Sequence, residues 1–200
     1  KFEIMKKLFL GLGLVVGTMT FAQQFGIKAG MNVASLSNDA GLDDAKSKIG
    51  FNAGVFMNAP LAESFSIQPE VLYSQYGAKA ESSNGNIKNE IKLDYITVPV
   101  MFQYNATPAL YLEAGPEFGF QVSAKNKLTV NGNSETQDID NDNNNKFNFG
   151  VGLGAGYYFT PNIGLTARYV AGFTDVVKDR PSGSDAVKNN VFQVGLAYKF

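Results

Sequence analysis

The sequence predicts an all-β protein, a single eight-stranded antiparallel up-and-down transmembrane β-barrel. Three observations favour this fold class. Residues 191–200 alternate between apolar side chains and small or polar ones, seven earlier segments do the same, and short connectors between the segments alternate with long ones. Successive side chains of a strand point to opposite faces. A closed membrane barrel needs one face of every strand toward lipid and the other toward its lumen, as this alternation provides.

The eight strands are placed where apolar alternation is bounded by turn residues. They are predicted at 24–35, 49–58, 65–76, 91–104, 110–123, 147–159, 163–174 and 190–200. The connectors are tight at 59–64, 105–109 and 160–162, and long and polar at 37–48, 77–90, 124–146 and 175–189. Barrels with both termini in the periplasm have short periplasmic turns and longer extracellular loops. The long connectors are therefore expected outside the cell.

Residues 1–22 are predicted to contain a cleavable signal peptide, and residues 23–200 the barrel domain. Met5-Lys6-Lys7 is a positive start, residues 8–16 are apolar, and Thr20-Phe21-Ala22 offers a small-residue cleavage site before Gln23. Residues 1–4 precede Met5, which we interpret as the initiator, and we take them as a mis-called start or a fragment boundary. A transmembrane anchor is the weaker interpretation, because the apolar run is shorter than the roughly 20 residues of a spanning helix.

The composition excludes several functional classes. The net charge of −1 lacks the basic surface that nucleic-acid binding requires. The chain has no cysteine, so disulfides and thiolate metal sites are absent. It also has no histidine, the commonest general base and metal ligand. We therefore expect neither an enzyme nor a cofactor.

The alternation places five charged residues inside the predicted lumen. By their distance from the periplasmic turns, they fall within roughly 15 Å of axial height at ~3.3 Å per residue. Isolated charges are costly in a narrow lumen, whereas carboxylates with Arg and Lys can neutralise one another. A packed polar core is favoured over a plug or electrostatic gate, because a small barrel must be filled. The predicted cluster is Lys28, Glu70, Glu113, Glu117 and Arg168.

One stretch of the long connector 124–146 has the spacing of a calcium loop. Asp138, Asp140 and Asp142 recur at every second residue, as early ligands of an EF-hand do. The rest of that pattern fails, because Asn143 replaces the expected glycine and Phe149 the bidentate glutamate. A solvated, flexible surface loop is favoured over this weak metal site.

Prolines interrupt three consecutive predicted strands. Pro69, Pro99 and Pro116 each remove a hydrogen-bond donor from the sheet. The apolar residues of the fourth strand also change parity after Tyr95. A β-bulge near Tyr95 would account for both features.

Several motifs resemble the PorT-like outer-membrane β-barrel family of Gram-negative bacteria. They lie at residues 25–32, 65–77, 95–100, 113–116 and 195–200, so the resemblance spans nearly all of the predicted barrel domain. It implies an OmpA- or OmpX-like eight-stranded barrel in the cell outer membrane. It further implies that the terminal strand is the signal read by the barrel-assembly machinery, through Phe192, Val194, Leu196, Tyr198 and Phe200.

The predicted function is a non-enzymatic outer-membrane barrel with a packed polar lumen and a structural or surface-interaction role. Its expected partners are outer-membrane lipid, the assembly machinery during insertion, and extracellular or envelope proteins that contact the long loops. The alternative is a narrow pore or small-molecule transport barrel. A soluble, lipocalin-like barrel is a third possibility, and it requires apolar residues inside and polar residues outside.

Overall fold

The computed structural model describes residues 23–37, 46–82, 86–139, 145–176 and 186–200. Within these ranges the chain forms strands alone, and no helix is long and apolar enough to cross a membrane. The predicted signal peptide lies outside the described residues. The strands are β1 (Gln24–Leu36), β2 (Lys46–Ala62), β3 (Phe65–Glu81), β4 (Ile87–Asn105), β5 (Leu110–Val130), β6 (Asn133–Asp138), β7 (Phe147–Tyr158), β8 (Ile163–Gly172) and β9 (Asn189–Lys199).

Eight of these strands form a closed antiparallel ring. The order is β4-β3-β2-β1-β9-β8-β7-β5, and pairing of β4 with β5 completes the circle. The first and last strands pair over most of their length, from Gly26 opposite Lys199 to Leu36 opposite Asn189. The predicted eight-stranded antiparallel barrel is therefore confirmed.

Strand β6, which the sequence analysis did not predict, corrects the prediction for the connector 124–146. We expected a flexible loop, but β5 continues to Val130 and β6 pairs back onto it, from Val130 opposite Asn133 to Lys125 opposite Asp138. Asn131 and Gly132 both have positive φ, at 51° and 86°, which the two-residue turns of hairpins require and Asn-Gly readily adopts. The two strands extend the sheet beyond the ring on the side of the long connectors.

The distribution of side chains is reversed relative to a soluble protein. Large apolar residues such as Leu153, Leu165 and Leu196 are about half exposed on the outer surface, while the lumen holds charged and amide side chains. A lipocalin-like barrel would have the opposite arrangement. An apolar exterior around a polar interior is the pattern of a barrel that faces lipid.

The predicted bulge exists, but it lies on β5 rather than β4. Pairing shifts between Asp94 opposite Ser123 and Tyr95 opposite Gln121, which leaves Val122 as the extra residue. Strand β4 keeps one parity throughout, so Leu93 and Tyr95 are buried inside the barrel rather than facing lipid. The prediction failed because it took all large apolar residues of that strand to face outward.

The strand prolines leave the sheet register unchanged. Pairing of β3 with β4 lapses between Pro69–Val100 and Leu72–Thr97 and resumes with the same offset. Pairing of β4 with β5 lapses beyond Pro99 in the same way. Each proline removes a hydrogen-bond donor locally, and the neighbouring ladder holds the strands in place.

Candidate functional site in the barrel lumen

Four charged residues from four strands meet inside the barrel, and we call them the ion quartet: Lys28 of β1, Glu70 of β3, Glu113 of β5 and Arg168 of β8. The guanidinium of Arg168 donates two hydrogen bonds to Glu70, Nη1 to Oε2 at 3.0 Å and Nη2 to Oε1 at 2.7 Å. Its Nε donates to Glu113 Oε1 at 2.8 Å. Lys28 Nζ lies farther, 3.4 Å from Glu70 Oε1. The arrangement holds two positive and two negative charges.

Amide side chains complete the hydrogen bonding of the two carboxylates. Gln68 Nε2 donates to Glu70 Oε1 at 2.9 Å, and Gln103 Nε2 donates to Glu113 Oε2 at 3.1 Å. All six side chains are buried. Buried ion pairs offset the cost of losing water only when further hydrogen bonds satisfy the remaining lone pairs. The two glutamines supply such bonds.

Glycines of β7 leave space for the ion quartet. A Cβ added at Gly154 would lie 3.0 Å from Glu113 Oε1 and 2.5 Å from the backbone oxygen of Ala167. One added at Gly152 would lie 2.9 Å from Met101 Cε and 3.3 Å from Arg168 Cδ. An eight-stranded barrel has little internal width. The inward glycines of this strand therefore accommodate the arginine and its partners.

Glu117 was predicted to join this cluster, and among the described contacts it shares no hydrogen bond or ion pair with the ion quartet. Its Oε1 accepts a 2.6 Å hydrogen bond from the Tyr76 hydroxyl. Its Oε2 has no hydrogen-bond partner, although the residue is fully buried. The Glu117 carboxyl is therefore less fully hydrogen-bonded than those of Glu70 and Glu113.

The lumen is filled on both sides of the ion quartet. On the side of the short turns, Phe56, Tyr111, Tyr158 and Ala197 form an apolar cluster, and the Lys199 ammonium lies 3.7 Å above the Tyr158 ring. Toward the long connectors lies a larger cluster, which we call the upper apolar cluster. It consists of Ala34, Leu36, Tyr76, Ala78, Leu93, Tyr95, Ala124, Val170, Val176, Val187 and Val191.

The upper apolar cluster includes residues from outside the strands. Val176 and Val187 flank a connector between β8 and β9 and are 7% and 1% exposed. The Val176 amide donates to the Val187 oxygen at 2.8 Å, and the Asn145 amide donates to the Val176 oxygen at 2.9 Å. These bonds join the two ends of the connector to each other and to the residues that precede β7. Sequence reasoning missed them because a connector has no periodicity to show which residues turn inward.

The predicted metal site is only partly covered by the structure. Asp138 is exposed at the end of β6, with Oδ1 3.9 Å from Lys125 Nζ. Asp140 and Asp142 lie outside the described residues. Within the ranges that the structure describes, no three acidic side chains are grouped so that they can hold a metal ion.

The predicted assembly-signal residues all lie on the outer face of the closing strand or just beyond its end. Phe200 follows β9, its amide donates to the Phe25 oxygen at 2.9 Å, and its ring contacts that of Tyr198 edge-on at 5.5 Å. The five exposed side chains are Phe192, Val194, Leu196, Tyr198 and Phe200.

Comparisons with known proteins agree with the closed barrel. Residues 21–178 match the family model of the outer membrane protein β-barrel domain. The sequence matches no curated protein.

Several solved structures have a similar fold at low sequence identity. One is Ail, the attachment invasion locus protein of Yersinia pestis, solved with the heparin analogue sucrose octasulfate (19% identity, TM-score 0.52, covering 90% of this chain and 100% of that chain). Another is Neisserial surface protein A (17%, TM-score 0.56, 90% and 99%). A third is a major outer membrane protein from Thermus thermophilus (13%, TM-score 0.52, 90% and 100%).

We predict that Arg168→Met destabilises the barrel by about 3–5 kcal/mol, because it leaves Glu70 and Glu113 buried without their main counter-charge. The free energy of unfolding is to be measured by urea titration of the protein folded in lipid vesicles. The matched control is the double variant Arg168→Met, Glu113→Gln, which leaves the Lys28–Glu70 pair and no excess charge in the quartet, and should regain most of the loss. Equal stability of the single and double variants would contradict this account.

Proposed function

On the premise that the chain belongs to the outer membrane protein β-barrel domain family and resides in the outer membrane, we propose that it is a non-enzymatic, closed barrel with a surface-interaction role. The ion quartet supports the first part of this proposal, that the barrel is closed and non-enzymatic. Its charges neutralise one another within the lumen, and its hydrogen bonds connect β1, β3, β5 and β8 across the interior. Such a centre fills the barrel and leaves no charged group turned toward a substrate.

The upper apolar cluster supports a lumen that does not conduct. It lies between the ion quartet and the outside, and it includes Val176 and Val187 next to the mouth. An ion that entered from outside would have to displace packed apolar side chains and then a neutral ion cluster. An open pore needs a hydrated path, and neither the packed apolar side chains nor the ion cluster provides one.

The part of the sheet that extends beyond the ring, formed by β4, β5 and β6, supports the proposed surface-interaction role. Strands β4 and β5 continue well past the apolar outer surface, and every residue of β6 is exposed. Among the described strands β6 pairs only with β5, so its other edge presents backbone groups to water. Exposed strand edges take up strands from partner proteins by main-chain hydrogen bonding. We infer that this edge contacts extracellular or envelope proteins.

The proposal includes the route by which the protein reaches its membrane. Residues 1–22 act as a cleaved signal peptide, and the chain belongs to the PorT-like branch of Gram-negative outer-membrane barrels. The outward residues of β9 and Phe200 are recognised by the barrel-assembly machinery. Support comes from the alternating outer face of this strand, which ends on exposed aromatic rings.

A narrow pore is the second candidate function, and a specific observation favours it. Several buried polar atoms of the lumen have no hydrogen-bond partner, including Glu117 Oε2, Asn148 Oδ1 and both amide atoms of Gln193. Buried polar atoms of this kind are usually satisfied by ordered water. A chain of such waters would be the start of a conducting path.

Planar-bilayer recording separates these two candidates. We expect the purified protein to show no steady, ion-selective openings, because the ion quartet and the upper apolar cluster fill the lumen. Arg168→Ala is the informative comparison, since it removes one of the largest fully buried side chains. Steady openings of the unaltered protein would exclude the closed-barrel proposal.

A shortened hairpin tests the surface role. Lys125 and Asp138 are cross-strand partners, so residues 126–137 can be replaced by Asn-Gly to form a tight two-residue turn. We expect cells carrying this variant to lose adhesion to other cells or surfaces, with unchanged barrel levels in the outer membrane. Full adhesion at equal barrel levels would contradict the role of this sheet. Loss of envelope integrity instead would indicate a structural function.

Deletion of Phe200 tests the proposed assembly signal. We expect lower barrel levels in the outer membrane, because the deletion removes the final aromatic ring and its backbone bond to Phe25. Phe200→Tyr is the matched control, since it keeps an aromatic ring at the same position. Normal membrane levels of the deletion variant would count against the signal.

A further inference from the structure

An unusual pair of like charges lies on the outer face of the extended sheet. Lys92 of β4 is directly opposite Lys125 of β5. Side chains at opposed positions of an antiparallel pair have Cβ atoms roughly 5 Å apart, and like charges at such positions destabilise the sheet. The ammonium groups also keep contact with water, since the side chains are 37% and 48% exposed. The sheet therefore places two ammonium groups side by side.

Each lysine of the pair lies near a carboxylate of its own, in a long and exposed contact. Glu90 Oε2 lies 3.8 Å from Lys92 Nζ, and Asp138 Oδ1 lies 3.9 Å from Lys125 Nζ. Exposed ion pairs at these distances contribute little stability. The alternation and register place five lysines and three carboxylates on this face among the side chains that the structure describes: Lys79, Lys88, Lys92, Lys125, Lys127, Glu90, Asp94 and Asp138.

The height of the lysine pair above the apolar outer face places it close to lipid headgroups. The apolar outer face ends at Ile96 on β4 and at Val122 on β5. Lys125 lies three residues beyond Val122 and Lys92 four residues before Ile96, which is about 10–13 Å along the strands at ~3.3 Å per residue. A strand tilt of about 40° reduces this to a height of about 8–10 Å. The headgroup layer of a bilayer extends roughly 5–8 Å beyond the hydrocarbon on each side, so both lysines are anchored at its outer edge and their long side chains reach into it.

We propose that Lys92 and Lys125 form a binding site for the phosphate of an outer-leaflet lipid headgroup. A phosphate between the two ammonium groups converts their repulsion into two charge-assisted hydrogen-bonded contacts. The lipid's acyl chains then lie against the apolar wall formed by Ile96, Phe120 and Val122, directly below the site. This continuity with the lipid-facing wall favours a lipid over a soluble anion. The site is independent of the β6 edge proposed above as a protein contact.

Binding of lipid A tests the proposal. The protein in a neutral detergent is titrated with lipid A that carries its phosphates, and bound lipid is counted by native mass spectrometry. We expect the double variant Lys92→Gln, Lys125→Gln to bind about 30-fold more weakly, because each lysine near an anionic headgroup is worth roughly 1 kcal/mol. Lipid A without phosphates should bind both proteins equally weakly.

Two further variants serve as controls. Lys199→Gln removes one positive charge at the opposite end of the barrel and should leave lipid A binding unchanged. Lys92→Arg with Lys125→Arg retains the charge and should bind lipid A as the unaltered protein does. Unchanged affinity of the double Gln variant would overturn the site. Equally strong, lysine-dependent binding of sucrose octasulfate, a soluble polyanion, would overturn its assignment to a lipid headgroup.

Discussion

The contact of Arg168 with two glutamates is the interaction on which the interior of the barrel depends. A closed sheet in hydrocarbon satisfies its own backbone, but closure leaves a narrow interior that side chains must fill. Here the filling comes from opposite walls, and a single guanidinium joins Glu70 of β3 to Glu113 of β5. The planar, fixed geometry of Arg suits two carboxylates at once, which a lysine ammonium does not match. The small inward residues of β7 follow from the same requirement for space.

The outer wall and the interior obey different physical rules. Outside, apolar side chains meet lipid and need no specific partner. Inside, each polar group needs a hydrogen bond because burial removes its water. This difference explains why the outer face tolerates an interruption such as Pro69, whereas the lumen shows close matching of donors and acceptors around Glu70. Glu117, Asn148 and Gln193 depart from this rule, since each has a buried polar atom without a hydrogen-bond partner.

Much of the architecture was predictable because period-two alternation depends on the two-sided environment of every strand. The alternation located the ring and placed Lys28, Glu70, Glu113 and Arg168 at one height along the barrel axis. The alternation could not separate Glu117 from these four residues, because face and height do not show which way a long side chain turns. It also failed for Leu93 and Tyr95, since apolar residues occur inside the barrel wherever the lumen rises above the membrane. The β6 hairpin was missed although Asn131-Gly132 is a turn signal, because its strand Asn133–Asp138 is polar on both faces.

The upper apolar cluster gives the two halves of the interior different responses to temperature. Its stabilisation comes from the removal of apolar surface from water, and this contribution weakens on cooling. The ion quartet is held by charge and hydrogen bonds, and it has no comparable dependence. Cooling therefore weakens the packing of Val176 and Val187, at the end of the barrel with the long connectors, more than it weakens the contacts of Arg168 at the centre.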